Sequence, residues 1–140
     1  MAVSGTSPQV PEALRRWFLV HFVLDVVFAL PLMIVPQWFL TTLGWEQVDP
    51  VATRLVAAAL LGIGIESLLS QRAPLGAFGS LLNLKIIWSS AAVLGIAMGI
   101  VEGAHGVPWS LWGFLAIFVG FNVLWVWWRV HVGRLLQAAG

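Results

Sequence analysis

Four apolar blocks, at about residues 14–35, 51–70, 76–101 and 109–128, divide this chain. Each is close to the ~20 residues that a helix needs to cross a hydrocarbon layer. A backbone in lipid has no water to bond to and must satisfy its own N–H and C=O groups, so such blocks fold as helices. The chain has 140 residues, of which 60% are hydrophobic and 9% charged, so four spans leave no room for a soluble domain beside them. The expected fold is an all-α integral membrane protein, with four transmembrane helices in an antiparallel up-down bundle. A flexible N-terminal segment, 1–12, and a C-terminal tail, 135–140, flank a single membrane domain over 13–134.

Punctuation between the blocks supports these boundaries. Pro11 can open a helix whose first turn carries Glu12, and Pro31 and Pro36 lie at the far end of the first span. Gln37 to Pro50 reads as a loop, with Gly44 as a helix terminator and Asp49-Pro50 as a cap followed by a first-turn proline. Gln71-Arg72-Ala73-Pro74 is a short turn that predicts spans two and three as antiparallel neighbours.

Charge sets the orientation. Arg15, Arg16, Arg72, Arg129 and Arg134 lie at one end, Glu46, Asp49 and Glu102 at the other, and only Arg54 lies toward the second end. The positive-inside rule then places both termini in the cytoplasm. Nine tryptophans without a tyrosine fall mostly where interfacial belts are expected. Arg15-Arg16-Trp17-Phe18-Leu19 resembles a twin-arginine export signal. The apolar run is too long for one and no small-residue cleavage site follows, so the two arginines read as cytoplasmic anchors.

Ionisable residues inside the spans are the candidate functional groups, because a charge facing lipid is costly. His21 and Asp25 stand four residues apart on one helical face. Measured from the arginine-rich end at ~1.5 Å per residue, His21, Asp25, Glu66, Lys85 and Asn122 fall in one slab about 7–14 Å deep. Lys85 is the only lysine, with Asp25 and Glu66 as its expected counter-ions, and Ser89 faces the same way one turn on. This layer predicts either a polar knot that fixes helix register or a binding and proton-exchange site open to the cytoplasm.

A second set, Glu46, Asp49, Arg54, Glu102 and His105, belongs to the opposite surface, where Arg54 is expected to pair with Asp49 or Glu102. Small residues at Ala58 and Gly62, and at Ala91, Gly95, Gly99 and Gly103, form ridges that permit close helix approach. They predict packing within the chain, with a homodimer or another membrane-protein partner through Gly95 and Gly99 as the alternative.

The missing motifs narrow the chemistry. Zero cysteines exclude disulfides and thiolate metal sites. No phosphate-binding glycine loop, His-Glu-x-x-His or Gly-x-Ser-x-Gly is present. His21, His105 and His131 lie at different depths, against a bis-histidine haem, and Lys85 would repel a cation from His21, Asp25 and Glu66. No metal and no cofactor is expected, and without a basic patch interleaved with aromatics, no nucleic acid.

The runs Leu43-Gly-Trp-Glu-Gln-Val-Asp-Pro50, Arg54 through Glu66, and Leu84-Lys-Ile-Ile-Trp-Ser89 resemble small bacterial four-helix membrane proteins of the DoxX-like group. The resemblance covers length and four-span architecture and implies diverse roles, among them redox accessory subunits, but assigns no catalytic role to a numbered residue. Three functions compete. The first is a small non-enzymatic inner-membrane protein with a binding, proton-coupled transport or accessory-subunit role. The second is a membrane enzyme doing acid–base chemistry on a lipophilic, isoprenoid-like substrate, with His21, Asp25 and Glu66 handling protons and Trp88 walling the pocket. The third is a purely structural subunit. A wide cavity open to lipid favours the second class over the first, and a dry, fully paired layer favours the third.

Overall fold

The computed structural model describes residues 9–103 and 106–138. They form five α-helices: α1 (Glu12–Ile34), α2 (Pro36–Thr42), α3 (Pro50–Leu69), α4 (Leu75–Glu102) and α5 (Trp109–Ala138), with one 3-10 turn over Ser70–Arg72. Four of them, α1, α3, α4 and α5, are long and apolar enough to cross a membrane. Residues 1–8 of the expected flexible segment and 139–140 of the expected tail lie outside the described residues, as does His105. The stretch 135–138, expected to be tail, is the helical end of α5.

Local chemistry sets the helix limits. Pro11 caps α1 and Glu12 occupies its first turn, where a carboxylate meets the positive end of the helix dipole. Pro36 has no N–H to continue the ladder, so α1 stops at Ile34, and the Val35 N–H closes back on the Pro31 carbonyl at 2.9 Å. The same proline then opens α2, a helix within what the sequence presents as loop. The Thr41 and Thr42 hydroxyls bond back to the Gln37 and Trp38 carbonyls at 2.6 and 2.9 Å. Gly44 follows at φ +94°, a left-handed conformation that suits glycine, and a side chain there would also strike Trp109. Asp49 caps α3 by accepting from the Val51 and Ala52 N–H groups at 2.8 and 3.1 Å.

The long helices pair as two antiparallel hairpins, α1 with α3 and α4 with α5. In the first, Gln71 Nε2 donates to the Arg15 carbonyl at 3.0 Å at one end, and Arg54 Nε donates to the Met33 carbonyl at 3.1 Å at the other. In the second, Arg129 Nε donates to Asn83 Oδ1 at 2.8 Å, and Asn122 Nδ2 to Ser89 Oγ at 2.9 Å and Ser90 Oγ at 2.8 Å. The short turn after Ser70 therefore does not make α3 and α4 close neighbours. A turn fixes direction, whereas backbone approach follows the small side chains, and on α3 those face α1.

The hairpins meet at the arginine-rich end. Leu14 and Phe18 of α1, Leu75, Phe78 and Leu82 of α4, and Trp125, Trp128 and Val132 of α5 form one buried core. A second core joins Ala29 and Leu32 of α1, Leu40 of α2, and Ala57 and Leu60 of α3. Among the described residues α4 and α5 reach that second half only through single contacts: Trp88 against the core, Phe114 edge to face with Phe28 at 5.8 Å, and Trp109 beside Gly44. Among the described residues the buried stripe of α4 ends at Ser89, and that of α5 is empty between Leu111 and Trp125.

Among the described residues the expected ridges make no close packing at Gly62, Gly95 or Gly99, and Gly103 closes only on the Gly99 carbonyl and Val107 at the end of α4. A Cβ at Gly62, Gly95 or Gly99 would meet nothing within 4 Å. The close approach belongs to Gly64, where a Cβ would stand 2.8 Å from the Asp25 Cβ.

Candidate functional site

The unfilled space between the hairpins is a cavity of about 1080 Å³. That lies at the upper end of ordinary ligand pockets, about 300–1,000 Å³. Phe28 and Leu32 of α1, Leu60 of α3, Trp88 of α4, and Phe114 and Phe118 of α5 supply an apolar wall. Ala92 and Gly95 lend width where larger side chains would close it. From Lys85 to Ile96 along α4, at ~1.5 Å per residue, the cavity is ~16 Å long. It is open sideways, because the lining residues Val56 and Ile117 are 48% and 44% exposed.

One end of the cavity is polar. His21, Asp25, Lys85 and Ser89 all line it and all are buried, Asp25 at 7% and Lys85 at 4% exposure. The α1 register explains the placement: Leu14, Phe18, His21, Asp25, Ala29 and Leu32 recur at steps of three and four, so one stripe carries both the core and the ionisable pair. Lys85 Nζ donates to Ser67 Oγ at 2.6 Å and stands 3.2 Å from His21 Nδ1. Its ammonium also lies 4.8 Å and 5.1 Å from the Phe18 and Trp125 ring centres, a cation–π cradle. Asp25 Oδ2 lies 2.8 Å from the same Nδ1. The contact lacks hydrogen-bond geometry, and Oδ2 has no partner among the described residues. The His21 ring is held edge-on by Phe121 and Trp125 at 5.0 and 5.2 Å.

This end is closed toward the arginine-rich surface. Phe18, Phe78, Leu82 and Trp125 are fully buried beneath it, and Phe18 meets Phe78 and Trp125 edge to face at 5.0 and 5.6 Å. Of the two arrangements expected, a register-fixing knot or a site open toward the arginine-rich end, the second meets aromatic residues of α1, α4 and α5 lying between that end and the layer. At the far end, Trp45, Val48 and Asp49 line the cavity, and the buried Trp45 Nε1 is likewise without a partner among the described residues.

Of the expected polar layer, His21, Asp25, Lys85 and Ser89 come together. Asn122 touches them only through Ser89, otherwise tying α5 to α4 through Ser90 and the Ile86 carbonyl. Glu66 does not join. It is exposed on the outer side of α3, where its Oε1 accepts from Ser70 Oγ at 3.2 Å. The buried stripe of α3 runs Thr53, Ala57, Leu60, Gly64, Ser67, and Glu66 is turned away from it. Ser67 takes the place expected of Glu66, and its signal is the run of small residues at heptad-like spacing.

The outer ion pairs are also absent. Among the described residues Arg54 pairs with neither Asp49 nor Glu102; the ion pair is Arg16–Glu12 at 2.6 Å, and His21–Asp25 is a close contact that becomes one only if the imidazole is protonated. Asp49 is occupied as a helix cap and Arg54 as a donor to the last turn of α1, while Glu102 is exposed at the end of α4. A search of family models, curated proteins and solved structures finds no match to the chain.

Proposed function

We propose that this is a small integral membrane protein, with its termini and arginine-rich end in the cytoplasm, that binds a lipophilic molecule between its two hairpins. The observation that carries this reading is the large, laterally open apolar cavity ending on buried His21, Asp25 and Lys85. A hydrocarbon chain entering from lipid gains by close packing against such a wall, not by leaving water, and a few convergent polar groups at one end fix its direction. The loop charges support the orientation. A proton-exchange path gains no support, because the polar end is sealed toward the arginine-rich side by Phe18, Phe78 and Trp125. A register-fixing knot accounts for Lys85 and Ser67 but not for the empty volume above them.

The test is binding of hexadecane to the purified protein in detergent, followed by native mass spectrometry and thermal unfolding. A saturable, stabilising adduct is expected in the native chain. It should be lost in Gly95→Phe, which fills the cavity at a position where a side chain meets nothing within 4 Å. Equal adduct in both proteins would count against the cavity as the site.

A second reading is acid–base chemistry on the bound molecule, which a cavity open to lipid also supports and which the contact of His21 Nδ1 with both Asp25 and Lys85 favours. It requires the ligand's reacting carbon to lie beside His21. An isoprenoid incubated in deuterated water would then exchange protons faster with the native chain than with His21→Gln.

A further inference from the structure

Resting on the cavity reading above, we propose that the bound molecule is a long-chain alcohol whose neutral hydroxyl donates to Asp25 Oδ2. Three observations converge on that head group.

First, the polar end is already balanced in formal charge, with the Lys85 ammonium on α4 and the Asp25 carboxylate on α1. His21 stands between them and, with Nδ1 turned to the ammonium at 3.2 Å, is counted as a neutral imidazole, while the remaining acids and bases stand elsewhere. Glu66 is on the outer face of α3, Arg129 is bonded to Asn83, and Asp49 caps α3 at the opposite end of the cavity. An ionic head group would therefore add an uncompensated charge among apolar walls, which is expensive.

Second, Lys85 is not free to receive an anion. One of its protons goes to Ser67 and one side faces His21 Nδ1. The Phe18 and Trp125 rings close over the ammonium. A carboxylate or phosphate would have to break contacts that the closed core holds in place.

Third, what the site lacks is a donor. Asp25 is more than nine-tenths buried and lines the cavity, and its Oδ2, though 2.8 Å from His21 Nδ1, has no partner in hydrogen-bond geometry among the described residues. A carboxylate oxygen left this way carries its full desolvation cost. A hydroxyl supplies the missing proton without bringing charge. An ether or a carbonyl offers only lone pairs and would leave Oδ2 as it is. The remaining wall, from Phe28 and Trp88 outward, asks only for hydrocarbon.

The test is a matched series on the full chain in detergent micelles: hexadecanol, its methyl ether, hexadecane, palmitate and hexadecylamine, ranked by dissociation constant. Geranylgeraniol is measured beside hexadecanol, so that the order of the two alcohols tells a branched from a straight chain, and tight binding by either carries the inference. The alcohol should bind about ten-fold or more tighter than the ether, as expected for a hydrogen bond to a charged acceptor. Palmitate and the amine should bind more weakly than the alcohol. In Asp25→Asn the preference for alcohol over ether should fall to less than three-fold. If all five bind alike in the native chain, the head-group inference falls and the cavity reading stands. If palmitate or the amine binds best, the site is one for an ion and the inference is overturned. If none binds, the cavity reading fails and takes the inference with it. The native series decides the matter even if Asp25→Asn does not fold.

Discussion

The two ends of this bundle are built from the same kinds of residue and packed in opposite ways. At the arginine-rich end, aromatic side chains from α1, α4 and α5 interlock, and Phe18, Phe78 and Trp125 are completely buried. At the other end the aromatic residues are as plentiful, yet Phe28, Trp88, Phe114 and Phe118 stand around an empty volume instead of filling it. The difference lies in how many hairpins contribute. The closed end draws on both, whereas the buried residues of the second core come from α1, α2 and α3, with Trp88 of α4 resting against it and Phe114 of α5 touching Phe28. A bundle closed at one end and parted at the other can keep its polar groups rigid while leaving their approach free, which ligand binding requires.

The sharpest break in this contrast comes from removing one large ring at each end. Trp125→Ala takes away a fully buried side chain that touches Phe18, Phe121 and His21. It should cost about 3–5 kcal/mol, the usual range for aromatic-to-alanine changes in a filled core. Phe118→Ala, on the wall of a space already open, should cost well under half as much. Thermal or SDS unfolding of the two purified variants measures the gap, and equal losses would mean that the far half is as tightly filled as the near one.

Next in size is the loss of Lys85. Lys85→Met keeps the length of the side chain but leaves Asp25 as a buried acid without a nearby cation, and should destabilise by about 3 kcal/mol. Adding Asp25→Asn removes the uncompensated charge, so the double variant should recover part of that loss. A double-mutant cycle with no recovery would show that Lys85 acts through Ser67 and the Phe18 and Trp125 rings alone.

Much of the closed end is legible in the sequence, and much of the open end is not. The four long helices follow from block length, and the juxtaposition of His21 and Asp25 from a spacing of four on one helix. Lys85 and Ser89 reach them because depth along an apolar helix can be counted. Depth says nothing of rotation, however, so Glu66, correct in level, proves to face outward while Ser67 faces in. Arg54 and Asp49 look like an ion pair by charge, but the bare ends of α1 and α3 offer each a backbone partner first. Helix α2 hides in a run read as loop because seven residues are too few to show a period. The cavity is the least legible of all, since it depends on α4 and α5 meeting α1 at only a few rings there, Phe114 on Phe28 among them, and a sparse contact leaves no residue pattern.

The smallest and most local effect concerns two glycines of α3 that look alike in the sequence and differ entirely in their surroundings. A Cβ at Gly64 would stand 2.8 Å from the Asp25 Cβ and 3.2 Å from Oδ2, while one at Gly62 meets nothing within 4 Å. Gly64→Ala must push α3 away from α1 at the level of the polar cluster, against two backbones that are already helical and cannot yield easily. A cost of about 1–3 kcal/mol is expected, as for overfilled cores. Gly62→Ala should be neutral or slightly stabilising, because alanine is the better helix former by about 1 kcal/mol in water. Unfolding of the two single variants checks the pair, and hexadecanol affinity adds a second readout. Gly64→Ala displaces Asp25 and should weaken alcohol binding, while Gly62→Ala leaves it unchanged. A Gly64→Ala protein as stable as the native chain, with unaltered affinity, would mean that α1 and α3 do not meet at Asp25, and the polar end of the cavity would have to be drawn elsewhere.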